Sequence, residues 1–534
     1  MELNTSFILC IGFFIFSVAI YFGHVSVPGL RDRHLPPGPF PLPFLGNILS
    51  IPRKGVKFRF TQWSSTYGPI FSLKVLHGNM IVVNSAAYAI ELFTKRSANY
   101  CNRPPFYVID QLVFSGDHTM LMNADSRWRL RRKLYFQLMN SSACDSKHLA
   151  LIEAETTQTL RDLIADSADL MLHPGRMSNS IIMTLVFGIR TPRSDTPHYR
   201  ELRKIMTELA GLGDVGATPP VDLLPILKYL PDCFWGNWKS RAGQLRKAML
   251  DLYHPLVGSV IDRRRQLTVS RNSFLDQVLD QQETLNFTRN EIDVMCGNLI
   301  EGGTDTVSTA LLAFFQAMVT HPEVQKEAQD QIDSVVKNTR QPSWNDYERL
   351  PYIVAIIKEV LRWRPPTSIA FPYASSNEDN MNNMKIPRGS TMLLNIWGIH
   401  HDPDRYPYPK LFMPSRFYNQ PHPASAYANS HSPHGRDHFS YGAGRRLCPG
   451  IHLSERILFV FVSQLLWACT IEHKRDKNGS QIPVDVDPRT GYIDGAINEC
   501  HPFTVTFTPR STWRRDMVFA SATQAETTVL NSYD

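Results

Sequence analysis

The stretch Phe439-Ser-Tyr-Gly-Ala-Gly-Arg-Arg-Leu-Cys-Pro-Gly450 decides how this chain is read. Gly442, Gly444 and Gly450 allow positive φ or a backbone that runs close to a bulky flat ligand. Pro449 suits the first turn of the apolar helix that follows, from Ile451 through Phe461, so Cys448 is placed at a helix N-terminus. There the helix dipole, free N–H groups, Arg445 and Arg446 favour thiolate over thiol. A thiolate held in this way is a good soft ligand for iron. The plainer alternative is a buried structural cysteine beside a β-bulge.

Three other segments bear on the choice. Thr288-Arg-Asn-Glu291 is a capping box, and apolar periodicity from Ile292 to Val319 predicts one long helix stopped at His321-Pro322. Its middle holds Gly302-Gly303-Thr304-Asp305-Thr306, and two adjacent glycines cost such a helix about 1–2 kcal/mol in propensity. Either close packing with a threonine back-bond to the Gly302 carbonyl offsets this, or the helix breaks locally and opens a groove beside a carboxylate and a hydroxyl. Trp128 and Arg132 stand at i and i+4 in a basic helix, sharing one face. Glu359 and Arg362 can pair at i, i+3.

Together these segments resemble the cytochrome P-450 family. The Cys loop matches at Gly444, Arg446, Cys448 and Gly450; Gly302 to Thr306 resembles the acid–alcohol motif; Trp128 and Arg132 resemble the Trp-x-x-x-Arg helix; and Glu359, Arg362 and Arg416 resemble a buried structural network. Two positions depart from the pattern. Tyr441 stands where Phe is usual, placing a phenol near the sulfur, and Tyr373 stands where a propionate-binding His or Arg is common. The resemblance implies a mainly α fold with minor β, with haem b held by the Cys448 thiolate and lined by Trp128, Arg132, Arg446, Tyr441 and Gly450. Asp305 and Thr306 are implied to deliver protons. It further implies electrons from NADPH through the flavins of an NADPH-cytochrome P-450 reductase, and oxygen insertion into an apolar small molecule, with motif wording closest to fungal secondary metabolism. A haem-thiolate enzyme that couples, desaturates or rearranges its substrate would share these features. A haem sensor or electron carrier would need the Cys loop but not Asp305-Thr306.

The wider chain sets the context. With 534 residues, 43% hydrophobic and 20% charged, it has ample material for a large core. A net charge of +7 over this length is too dilute to argue for nucleic acid, and no nucleic-acid module appears. The eight cysteines show no CxxC pair, which argues against zinc and a disulfide framework. Leu3 to Leu30 lacks Asp, Glu, Lys and Arg, and basic residues follow it, so residues 1–30 are expected to anchor the chain in the endoplasmic reticulum membrane with the body cytoplasmic. Residues 31–59 form a basic, proline-rich hinge and 60–510 the catalytic domain. Ile70 to Val83 is expected to be a β-hairpin around His77-Gly-Asn79. Arg129, Arg131 and Lys133 are expected as surface charge for an acidic redox partner. His400-His401 are expected to be structural. Residues 511–534, polar and aperiodic, are expected to form a loose tail.

Overall fold

The computed structural model describes residues 32–534 apart from 167–168, 215, 268–269 and 338. The expected membrane segment lies outside the described residues. Among those described, one helix, Ile451–Ala468, is long and apolar enough to cross a membrane, and it is a core helix, 89% buried inside the protein.

The fold is mainly helical. The helices that position the site are α1 (Val56–Tyr67), α2 (Ser126–Met139), α3 (Leu149–Ala165), α4 (His173–Phe187), α5 (Pro197–Gly213), α6 (Trp238–Leu267), α7 (Arg289–Thr320), α8 (Pro351–Trp363), α9 (Ile451–Ala468) and α10 (Thr512–Thr528). The strands are β1 (Ile70–Val75), β2 (Gly78–Val83), β3 (Tyr373–Ala374), β4 (Asp379–Met381), β5 (Met384–Ile386), β6 (Thr391–Leu394), β7 (Cys469–His473) and β8 (Val505–Pro509). One sheet runs β1-β2-β6-β3, and β4-β5 and β7-β8 form two small pairs. β1 and β2 are antiparallel with Val75 opposite Gly78, so the turn is Leu76-His77 rather than His77 to Asn79, and Leu76 takes a φ of 53°.

α7 begins as its capping box requires: the Thr288 side chain accepts from the Glu291 backbone N–H and the Glu291 side chain from that of Thr288. The helix is continuous through Gly302 to Thr306, so no break opens there. The two glycines do different things. A Cβ on Gly303 would lie 2.9 Å from Ile182 Cγ1, which is how α4 packs so closely on α7, whereas a Cβ on Gly302 would meet nothing within 4 Å. The open space at Gly302 is therefore left by a missing side chain in an intact helix.

Residues 511–534 are not a loose tail. Ser511 caps α10, and Arg514, Val518 and Ala522, one face at four-residue spacing, are buried, followed by Leu530. The Trp513 ring meets the buried Trp467 edge-on at 5.8 Å, and Arg514 reaches Asp333 Oδ1 at 2.9 Å and the Trp467 carbonyl at 3.0 Å. At the very end, Asp534 pairs with Arg190 at 3.3 Å, and Arg190 in turn holds the buried Glu155 at 3.1 Å. Ending the chain after Arg510 uncovers Trp467 and is expected to remove about 2 kcal/mol or more, a drop of several degrees in the thermal midpoint. An unmoved midpoint would show that the docked tail contributes nothing.

Candidate active site

The Cys loop folds back on itself through Gly442 N–H to the Phe439 carbonyl (2.8 Å), Leu447 N–H to Gly444 (3.0 Å) and Cys448 N–H to Tyr441 (2.9 Å). Gly442 and Gly444 take φ of 75° and 61°, and a Cβ on Gly444 would stand 1.5 Å from the Phe93 carbonyl oxygen, so no other residue fits there. A Gly444→Ala variant is expected to fail to build the loop, read as loss of bound haem in the purified protein. Gly450 has an ordinary φ of −88° and is the N-cap of α9, which starts three residues after Cys448.

Burial pushes the Cys448 thiol up, while the Gly450 N–H and the Arg132 guanidinium pull it down. Arg445 and Arg446 are not the cations that act on it: Arg445 is exposed, and Arg446 turns away to the carbonyls of Cys101 (2.7 Å) and Met122 (2.6 Å). Tyr441 also turns away from the sulfur, its phenol OH lying 3.2 Å from Ser454 Oγ.

Trp128 is buried, with Arg446 4.1 Å and Arg132 5.8 Å from its ring centre. Arg132 Nη2 donates to the Leu447 carbonyl at 2.6 Å, tying α2 to the residue before the cysteine. The residue missed in the sequence is Arg103. It donates to the carbonyls of Met120 (2.8 Å), Phe371 (2.8 Å) and Pro372 (2.6 Å), and lies 5.0 Å from the Tyr373 ring centre, at the position where Tyr373 had left a cation wanting. Burial, with Arg132 beside it, pulls Arg103 down to about 10, burial with Arg103 and Arg132 pulls Arg446 down to about 9, and Arg446 Nη1 has no partner among the described residues. No described carboxylate pairs with Arg103, Arg132 or Arg446. Three cations left so are suited to holding a ligand that carries carboxylates. Neighbouring Arg131 is not surface charge: it is fully buried and paired with Glu291 at 2.8 Å and Asp117 at 3.1 Å.

On the opposite wall, Thr306 Oγ1 donates to the Gly302 carbonyl at 2.8 Å. Asp305 is pushed up to about 7, first by burial and then by Glu499. The rings of Phe106 and Phe371 lie with centres 5.8 Å apart. Asp494 is bound to the Gly55 N–H and Lys57. His400 Nε2 accepts the Phe439 N–H at 2.8 Å and His401 stacks on Trp397 at 3.7 Å, structural roles for both.

The cytochrome P450 family model matches residues 36–486. The chain belongs to the cytochrome P450 family. It is 54% identical over 477 residues to the cytochrome P450 monooxygenase anuE of Penicillium roqueforti, covering 89% of this chain and 97% of that one. It is 44% identical over 506 residues to the cytochrome P450 monooxygenase yanC of Aspergillus niger, with 94% of each covered. A zebrafish cytochrome P450 solved with progesterone has the same fold, with a TM-score of 0.69 at 23% identity, covering 85% of this chain and 99% of that one. This P450 is thus a monooxygenase of the haem-thiolate class, in which a cysteine thiolate is the iron ligand.

Proposed function

We propose that this P450 binds haem b through Cys448 and inserts oxygen into an apolar small molecule of fungal secondary metabolism, with electrons from an NADPH-dependent flavoprotein reductase. The observation that carries the reading is the Cys448 loop, held by its own backbone bonds with Arg132 on the residue before the cysteine, beside three arginines, Arg103, Arg132 and Arg446, that have no carboxylate partner among the described residues. Bound there, haem supplies dioxygen activation, with the thiolate donating electron density to the iron. Arg103, Arg132 and Arg446 hold the propionates, and Trp128 packs beneath the latter two guanidiniums. Thr306 keeps its proton on the Gly302 carbonyl, leaving its oxygen free to accept a hydrogen bond. Asp305 carries its proton to about pH 7 and serves as the donor.

The sign of the pH effect follows. A carboxyl raised to about 7 is protonated below that pH and loses the proton above it, so the share of reductant converted to product should fall as pH rises through 7. Asp305→Asn should flatten that limb, and Thr306→Ala should lower coupling about tenfold or more. Unchanged coupling in both would remove them from proton delivery.

A group of exposed apolar side chains supports the anchored reading. Phe40, Leu49, Ile226, Tyr229 and Phe234 are each more than half exposed. The two segments that carry them lie on one side, since a Cβ on Gly78 of the hairpin would stand 3.1 Å from Leu223 and Gly216 approaches Arg53. The test is incubation of microsomes bearing this P450 with NADPH and labelled dioxygen, read by mass spectrometry of candidate metabolites. Products without the label would overturn oxygen insertion.

A further inference from the structure

From Glu291 to Val319, α7 is buried except at Asn298, Gly302, Gly303, Asp305 and Thr306. Asn298 is one turn before Gly302 and shares its face of α7, where a Cβ on Gly302 would meet nothing within 4 Å. The Asn298 amide is only half satisfied. Oδ1 accepts the Thr119 backbone N–H at 2.8 Å, which fixes the amide's orientation and leaves Nδ2 with no partner among the described residues.

The adjoining residue, His118, is in the same condition. Its side chain is 5% exposed, and its Nε2 lies 3.0 Å from Glu301 Oε2, whose other oxygen accepts the Tyr253 hydroxyl at 2.5 Å. A carboxylate only accepts, so Nε2 carries the hydrogen and, in the neutral ring, Nδ1 offers a lone pair. Nδ1 likewise has no partner among the described residues, and the Phe114 ring packs edge-on against the imidazole at 4.3 Å. Tyr253 in turn lies flat on α7, where a Cβ on Gly297 would stand 2.4 Å from its ring. Glu301 is therefore held from two sides and holds the imidazole in turn.

One buried donor and one buried acceptor, on consecutive loop-to-helix contacts, stand unmet beside the α7 face that carries Gly302, Asp305 and Thr306, and buried polar groups are seldom left so. We propose that Asn298 Nδ2 and His118 Nδ1 together recognise a hydroxyl group on the substrate, Asn298 donating to its oxygen and His118 accepting its hydrogen. Glu301 and Tyr253 are positioning residues that set the tautomer. The preferred substrate is then an apolar skeleton bearing an alcohol or phenol, with that hydroxyl turned toward α7 and the loop at 118–119. This rests on the haem-thiolate reading above.

The test is optical titration of the full-length holoenzyme with cyclic and aryl-alkyl alcohols, each beside its deoxy parent and its methyl ether, following the substrate-induced shift of the haem band. The unsubstituted enzyme should bind hydroxyl members about tenfold or more tightly than their parents. Asn298→Asp and Asn298→Leu, and separately His118→Phe, should erase that preference while binding the deoxy parents as before. An unsubstituted enzyme with no preference for hydroxyl members, or variants that weaken alcohol and parent alike, would overturn the proposal. The carbon-monoxide spectrum, which needs no substrate, reports the thiolate centre separately. A red-shifted band together with no hydroxyl preference counts against the hydroxyl subsite alone, and an absent band counts against the haem-thiolate reading itself.

Discussion

Replacing Cys448 by serine is expected to abolish the red-shifted thiolate band in the carbon-monoxide spectrum of the reduced protein and to reduce product formation to background. A serine hydroxyl keeps its proton in this setting, because burial already pushes even the thiol up and only the Gly450 N–H and Arg132 oppose it. The change is small in volume, and the loop's backbone bonds do not involve the sulfur, so the thermal midpoint should move little. That separates loss of the ligand from loss of the fold. A variant that kept the red-shifted band would sink the assignment of Cys448.

Glu359→Ala is expected to be the most destabilising single change outside the site. Glu359 and Arg362 are both fully buried and joined by two parallel bonds of 2.6 and 2.7 Å, while Arg416 adds a third at 3.2 Å and the Met413 N–H a fourth at 2.8 Å. Removing the carboxylate leaves two guanidiniums without their charge partner, which costs about 3–5 kcal/mol when one member of a buried pair is lost. That is a large part of the ~5–15 kcal/mol that holds a typical protein folded. The damage should also reach the cysteine. Arg362 donates to the His400 carbonyl at 2.9 Å, and the His400 ring accepts the Phe439 N–H that begins the Cys loop. Low haem content and a lower denaturant midpoint are the expected readouts, with Glu359→Asp milder. A midpoint equal to that of the unsubstituted protein would mean the network is incidental.

What could be read from the chain alone were features whose chemistry is local. The capping box of α7, the shared face of Trp128 and Arg132, the Glu359–Arg362 pair and the constraint at Gly444 all follow from spacing or from one residue's conformational freedom. What could not be read depends on segments far apart in sequence. Arg103 carries no periodic signal, only an arginine ahead of two prolines, and its partners near 120 and 371 are set by the fold. Arg131 and Arg132 look alike in the sequence, and only the placement of Asp117 and Glu291 makes the first structural and leaves the second for the site. α10 shows no amphipathic pattern because its buried face is an arginine, a valine and an alanine, and its docking relies on Trp467 and Asp333. The glycine pair did signal something unusual, but only the packing of α4 shows that one glycine admits a neighbour and the other leaves room.

The docking of residues 511–534 also bears on how the protein is made. They are translated after every element they pack against, and they are the ones that cover Trp467 and join Asp534 to the Arg190–Glu155 pair. Until they emerge, a nascent chain has α3 and the end of α9 bare, apolar surface of the kind that draws chaperones and misassembly. The helical body of this P450 therefore closes late in its synthesis.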